Sequence, residues 1–257
     1  MPELHLHLMD SETGEPLPQP LLPEAEALAL LDAAEITAAE LVPWGSNYTF
    51  AVALEAEGRP GHLAIYKPKL GERPLYDFPN GTLYLRERAS YLLSRRLGWD
   101  LVPPTIVRDG PHGIGSLQIY VASRPEHADD HAFWSRRTPE IERMVLFDHL
   151  ANNADRKIGH CLVGTDGAIW GIDHGLTFNH VPKLRTVLWQ FVGRSIDPAL
   201  LGDVRRVLDA CDDVTRELSG LLRDEEIRAF WDRTRSLLKA GRYPLLDPRR
   251  NVPYGWW

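Results

Sequence analysis

Two polar blocks interrupt apolar runs in the middle of the chain: Asn153-Ala154-Asp155-Arg156 followed by His160, and Gly171-Ile172-Asp173-His174-Gly175. Each carries an aspartate beside a short apolar segment, Cys161-Leu162-Val163 after the first and Ala168-Ile169-Trp170 before the second. Two such carboxylates can divide the work of phosphoryl transfer. One orients or deprotonates an acceptor hydroxyl, and the other binds a divalent ion on the nucleotide phosphates. The same reaction asks for a lysine on the phosphates and an acid that holds it. Lys67 is one of only five lysines in the chain and ends an apolar run, and Glu87 lies in the polar Arg86-Glu87-Arg88 of a helical segment.

Local patterns say what positions these groups. Tyr48 to Glu55 and His62 to Tyr66 are rich in β-branched and aromatic residues and flank the turn-forming Gly58-Arg59-Pro60-Gly61, so a hairpin is expected with Lys67 at its end. Leu85, Ala89, Leu92, Leu93 and Leu97 recur at helical spacing and predict a helix from Leu83 to Leu97 that stops at Gly98. Val102 to Val107 and Ser116 to Val121 read as two further strands around an Asp109-Gly110 turn. Thr138 and Pro139 open a helix to about Leu150, with the hydroxyl as cap and proline at the first position, where its missing N–H costs nothing. A loop over 152–159, a strand over 160–163, a turn over 164–167 and a strand over 168–172 then deliver Asp173. The rest, to about Lys239, reads as mostly helical, including 218–222 and 227–238. Residues 24–42 read as one or two short helical segments, and Leu4 to Leu8 as a short edge strand.

The expected fold class is α+β with two lobes sharing a cleft: a small antiparallel sheet plus one helix, then a mainly helical lobe carrying a catalytic hairpin. The expected divisions are an extended N-terminal arm over 1–23, the first lobe over 24–123 and the second over 124–257, with the boundary in the polar stretch before Thr138.

A second constellation competes on chemistry. His149, His160, His174 and His180 with Asp148 and Asp173 are ligand types of a transition-metal phosphohydrolase. Their spacing contains no helical His-x-x-x-His pair, and that reading leaves Lys67 and Glu87 without a role.

The order of parts, strand lysine, helix glutamate, loop aspartate, hairpin and second aspartate, resembles the phosphatidylinositol 3-/4-kinase-like superfamily over about residues 44 to 180. The wording of the loops is similar to type II phosphatidylinositol 4-kinases and to uncharacterised bacterial proteins like them. Phe147 to Arg156 resembles the catalytic loop of that family, and Gly171 to Phe178 its metal-binding segment. The resemblance implies a protein-kinase-like fold and ATP- and Mg²⁺-dependent transfer (Mn²⁺ being a possible substitute) of a γ-phosphoryl group to a hydroxyl on a lipid headgroup, protein or small molecule. It also implies that Asp155 acts on the acceptor, Asp173 binds metal, Lys67 contacts phosphate with Glu87 as partner, and Gly45-Ser46-Asn47 forms the phosphate-covering turn.

One position departs from the pattern: His160 stands where the family has a metal-binding asparagine. Imidazole nitrogen binds divalent ions, but Mg²⁺ favours hard oxygen ligands, so the second metal position is altered. Lys157 can add positive charge nearby. The departure keeps open an ATP-binding pseudokinase or nucleotide sensor.

Bulk properties narrow the classes. A chain of 257 residues that is 44% hydrophobic and 25% charged is an ordinary globular protein with a substantial core. A net charge of −7 argues against a nucleic-acid partner. No run approaches the roughly 20 apolar residues of a membrane span, so a cytoplasmic protein without a transmembrane segment is expected. Cys161 and Cys211 have neither metal nor disulfide spacing and are expected to be buried apolar residues. Composition says nothing of the oligomeric state.

Overall fold

Extended, β-branched segments pair into one antiparallel sheet. Its strands are β1 (Glu35–Leu41), β2 (Phe50–Glu55), β3 (His62–Pro68), β4 (Thr105–Gly110) and β5 (Gly113–Ile119), in the spatial order β1-β2-β3-β5-β4. The computed structural model describes residues 19–43, 47–57, 61–127 and 130–255. The expected strand at Leu4 to Leu8, Gly45 and Ser46, residues 58–60 of the expected turn and the final Trp256-Trp257 lie outside the described residues.

Helix α1 (Glu24–Ala33) covers one sheet face. Ala27, Leu30, Leu31 and Ala34 pack against Val52, Leu54, Ala64, Tyr66, Leu117 and Ile119. Each fully buried Val or Leu contributes about 1.5–3 kcal/mol of transfer free energy. The residues after α1 form β1 rather than more helix. Ala38 and Ala39 favour helix weakly, and the ladder to β2, from Glu35 opposite Glu55 to Leu41 opposite Phe50, overrides that preference. The β4–β5 hairpin also differs from expectation. Pro103 and Pro104 delay β4 to Thr105, and the strand runs on through Asp109 and Gly110, which pair with Ile114 and Gly113; the turn is Pro111-His112. Lys67 lies opposite Ser116 at the end of β3, where Gly115 lets the two strands approach: a Cβ there would sit 2.5 Å from the Lys67 carbonyl oxygen.

Helix α2 (Leu83–Leu97) ends where expected, with Gly98 in the left-handed conformation at φ 70°. A short helix α3 (His131–Trp134) precedes α4 (Pro139–Ala151), which has the expected Thr138 cap accepting from the Ile141 N–H. Strands β6 (Cys161–Val163) and β7 (Ile169–Gly171) form the expected hairpin, slightly shorter than its apolar runs. Residues 174–196 are irregular rather than helical. Helices α5 (Pro198–Asp209), α6 (Cys211–Leu218) and α7 (Asp224–Ala240) complete the chain. Residues 218–222 do not form a helix: α6 stops at Leu218, Gly220 has φ 85°, and Ser219 bridges Leu222. The main core joins α2 to α4 through α7. The architecture is α+β, with an antiparallel sheet at one side of the molecule and a helical body with a small hairpin at the other.

Candidate active site

Asp155, His160 and Asp173 come together because α4, the loop after it and the β6–β7 hairpin are tied at one buried arginine. Asn152 ends α4 in the left-handed conformation, which asparagine tolerates, at φ 51°. Its amide donates to the carbonyls of Asn179 and Val181, and its oxygen accepts from the Lys183 N–H. The Asn153 amide donates to Asp148 Oδ1, and its oxygen accepts from the Asp155 N–H. Arg156 is fully buried. It donates to both carboxylate oxygens of Asp148, to the carbonyls of His160 and Ile172, and to Nε2 of His174 at 2.7 Å. The guanidinium fork therefore fixes both polar blocks against α4.

Lys67 of β3 and Glu87 of α2 meet beside Asp173. Lys67 Nζ lies 2.5 Å from Glu87 Oε1 and 2.7 Å from Asp173 Oδ1. The other oxygen of Glu87 accepts from the His174 N–H at 2.9 Å. Burial alone would lower the Lys67 pKa, but the carboxylates of Asp173 and Glu87 outweigh it and raise the pKa. In turn Lys67 holds the Asp173 carboxyl well below the usual range against the cost of burial. Asp173 has φ 59°, a left-handed backbone rarely taken by residues other than glycine.

His160 is oriented by the first loop. Its Nδ1 lies 2.8 Å from the Asp155 carbonyl oxygen, which can only accept, so Nδ1 carries the proton. Burial lowers its pKa despite the pull of Asp173. Nε2 lies 3.3 Å from Asp173 Oδ2, so the imidazole and the carboxylate converge on one point. With the ring neutral, the pair would offer one nitrogen and one oxygen to a shared divalent cation. The donor set, one imidazole nitrogen backed by a carbonyl and one ionised carboxylate, fits a metal ion. Asp155 is less exposed; burial raises its pKa, offset in part by Lys157, whose Nζ lies 2.8 Å from Oδ2.

Of the turn expected to cover phosphate, Asn47 is described, and its side chain accepts from the Arg73 N–H at 2.8 Å. The rival histidines have separate partners. His149 packs against the Tyr243 ring, His174 accepts from Arg156, and His180 faces Glu225 at 3.9 Å, while Asp148 is taken by Arg156. Among the described residues no group of three or more His, Cys, Asp or Glu side chains is arranged to hold a metal.

Sequence reasoning gave no role to Arg156, Asn153 or the His174 N–H and took Asp148 only as a ligand of the rival hydrolase, whereas these groups position the site. Asp148 and Asn153 lie inside the recognised loop wording, and a buried arginine needs an acid. That pairing was the available signal.

No protein-family model matches the chain. Protein Rv2133c of Mycobacterium tuberculosis is 39% identical over an aligned span of 261 positions that covers 88% of this chain and 94% of that protein. Hydra Fam20, solved with sugar, superposes with a TM-score of 0.56 at 14% identity, over 83% of this chain and 86% of its own. The Golgi casein kinase with Mn and ADP bound gives 0.53 at 14% identity, over 84% and 74%. The Helicobacter pylori proinflammatory kinase CtkA gives 0.50 at 10% identity, over 82% and 93%. These structural likenesses establish a kinase-like fold. No helix among the described residues is long and apolar enough to cross a membrane.

Proposed function

The chain belongs to the same family as protein Rv2133c of Mycobacterium tuberculosis, and we propose that it is an ATP- and divalent-metal-dependent phosphotransferase acting on a hydroxyl acceptor. The observation that carries this reading is the junction of Lys67, Glu87, Asp173 and His160, in which a lysine, its acidic partner and two metal-type donors from distant parts of the sequence share one cleft. The loop wording that resembles the phosphatidylinositol 3-/4-kinase-like superfamily supports it, as does the Golgi casein kinase, a fold neighbour that binds Mn and ADP. The reading also places the nucleotide between the sheet and the helical body into whose core α2 packs.

Each residue has a task in this reading. Lys67 neutralises nucleotide phosphate, and Glu87, fixed by the His174 N–H, keeps Lys67 extended into the cleft. Asp173 and His160 hold the metal ion, Mg²⁺ or Mn²⁺, which supplies charge neutralisation on the phosphates when bound. Asp155 orients the acceptor hydroxyl and accepts its proton as the oxygen attacks the γ-phosphorus and the bond to the ADP oxygen breaks. Its raised pKa favours that transfer. Lys157 leaves Asp155 and faces the transferred group. Gly45, Ser46 and Asn47 cover the phosphates. The acceptor is a lipid headgroup, a protein or a small molecule.

The deciding experiment incubates the protein with γ-labelled ATP and Mg²⁺ or Mn²⁺ and follows loss of label from ATP, with Asp155→Asn as control. Turnover abolished in the variant supports the reading, and turnover unchanged in the variant contradicts it. A second reading, a nucleotide-sensing module, draws on the Lys157–Asp155 ion pair, which occupies the proposed base. It predicts thermal stabilisation by Mg·ATP with no turnover.

A further inference from the structure

The helix that presents Glu87 is anchored on the side of the cleft opposite Lys67. Arg86, one position before Glu87, is 1% exposed and donates from Nη2 to Glu226 Oε1 of α7 at 2.5 Å; Glu226 is 2% exposed. Arg86 Nη1 donates to the Thr177 carbonyl at 2.7 Å, and its guanidinium stacks on the Phe78 ring. The second oxygen of Glu226 accepts from the Arg223 N–H at the start of α7, so both ends of the pair are held. The anchoring continues along the same helix and just past its end. Ser90 meets the Thr177 hydroxyl, Arg96 forms a two-pronged pair with Glu217 of α6, and Trp99 Nε1 donates to Asp203 of α5 at 2.7 Å.

Helix α2 lies against β4 and β5 as well as α5 and α6, but its buried apolar side chains divide unequally. Ala89, Leu92, Leu93 and Leu97 belong to the core shared with α4 to α7, whereas the inner sheet face and α1 form a separate core. Toward the sheet side α2 has Lys67 on Glu87, Arg88 on the Thr105 carbonyl and Tyr91 on Glu24. None of these is an ion pair with both partners buried. A charge pair removed from water on both sides resists separation far more than a part-solvated contact, because parting it strands a charge in low dielectric.

We propose that Arg86 and Glu226 are positioning residues that make α2 part of the helical body, so that Glu87 is held at a fixed place beside Asp173 and the sheet carrying Lys67 is the part that closes. The proposal deepens the phosphotransfer reading and rests on it for its catalytic consequence. It implies that a swing of α2 is not the step that assembles the site. Glu226 then acts on turnover only through Glu87.

Two measurements on the full chain test it. Amide hydrogen exchange of the Glu226→Gln variant should show exchange in α2 and α7 rising together by about 10-fold while β2 and β3 stay unchanged. A rise shared by α2 and β3 but not α7 would overturn the anchoring. The second is a mutant cycle on turnover of Mg·ATP or Mn·ATP. Glu226→Gln should lower kcat by about 10-fold in the otherwise native chain and by less than about twofold in a Glu87→Gln background, with little change in KM for ATP. Equal losses in both backgrounds would reduce Glu226 to a general structural role and overturn the proposal. A chain that neither binds nor turns over ATP removes the phosphotransfer reading, while the exchange pattern still decides whether α2 belongs to the helical body.

Discussion

Nε2 of His160 lies 3.3 Å from the Asp173 carboxylate, while the other ring nitrogen is committed to the Asp155 carbonyl. A nitrogen donor favours borderline ions over hard ones, so turnover with Mn²⁺ should exceed that with Mg²⁺. In His160→Asn the oxygen donor should shift the Mn²⁺:Mg²⁺ rate ratio toward Mg²⁺ by about 10-fold. Rates that fall equally with both metals, leaving the ratio unchanged, would show that His160 does not select the ion.

Asp155 has a different signature. Asp155→Asn should lower turnover by about 10²–10⁴-fold, the range of a lost general base, while nucleotide affinity stays within a few-fold. Equilibrium binding of Mg·ATP alongside single-turnover rates checks the split.

Arg156 and Asp148 are both buried and pair through two nitrogens. Asp148→Ala leaves the guanidinium without its charge partner and should cost about 3–5 kcal/mol of stability, read from urea denaturation. Arg96→Ala, at the exposed Glu217 pair, should cost at most about 1 kcal/mol.

The α4 residue His149 gives a pH dependence away from the cleft. Burial drives its pKa down to about 4, against about 6.5 in an unfolded chain. Between those values the unfolded state binds a proton that the native state refuses, so this contribution to stability falls as pH drops from 6.5 toward 4 and is constant above 6.5. Linkage puts the loss at about 2 kcal/mol on going from pH 7.5 to pH 5. Denaturation of wild type and His149→Phe at both pH values should show that increment disappear in the variant.

The periodic and punctuated parts of the fold were legible in the sequence. The α2 spacing with its Gly98 stop, the Thr138-Pro139 start of α4 and the β6–β7 hairpin each rest on local chemistry. Strand β1 was not, because Ala38 and Ala39 carry no strand preference and only pairing with β2 settles their state. The irregular 174–196 segment was not legible either: its backbone bonds go to side chains such as Asn152 and to the loop at Asn153 and Arg156, partners that exist only after folding. The same reason hid the positioning groups. Glu87 was readable as an acid on a helix, whereas the Arg86–Glu226 pair joins residues 140 positions apart that no spacing rule connects.

In the proposed reaction Asp173 is the carboxylate that holds metal and nucleotide together. The most direct measurement is calorimetric binding of Mg·ATP and Mn·ATP to wild type and Asp173→Asn, with unfolding curves to establish that both are folded. Metal-dependent nucleotide binding is expected in wild type and lost in the variant, by about 100-fold or more in affinity. Metal-dependent binding of equal strength in the two proteins would contradict it.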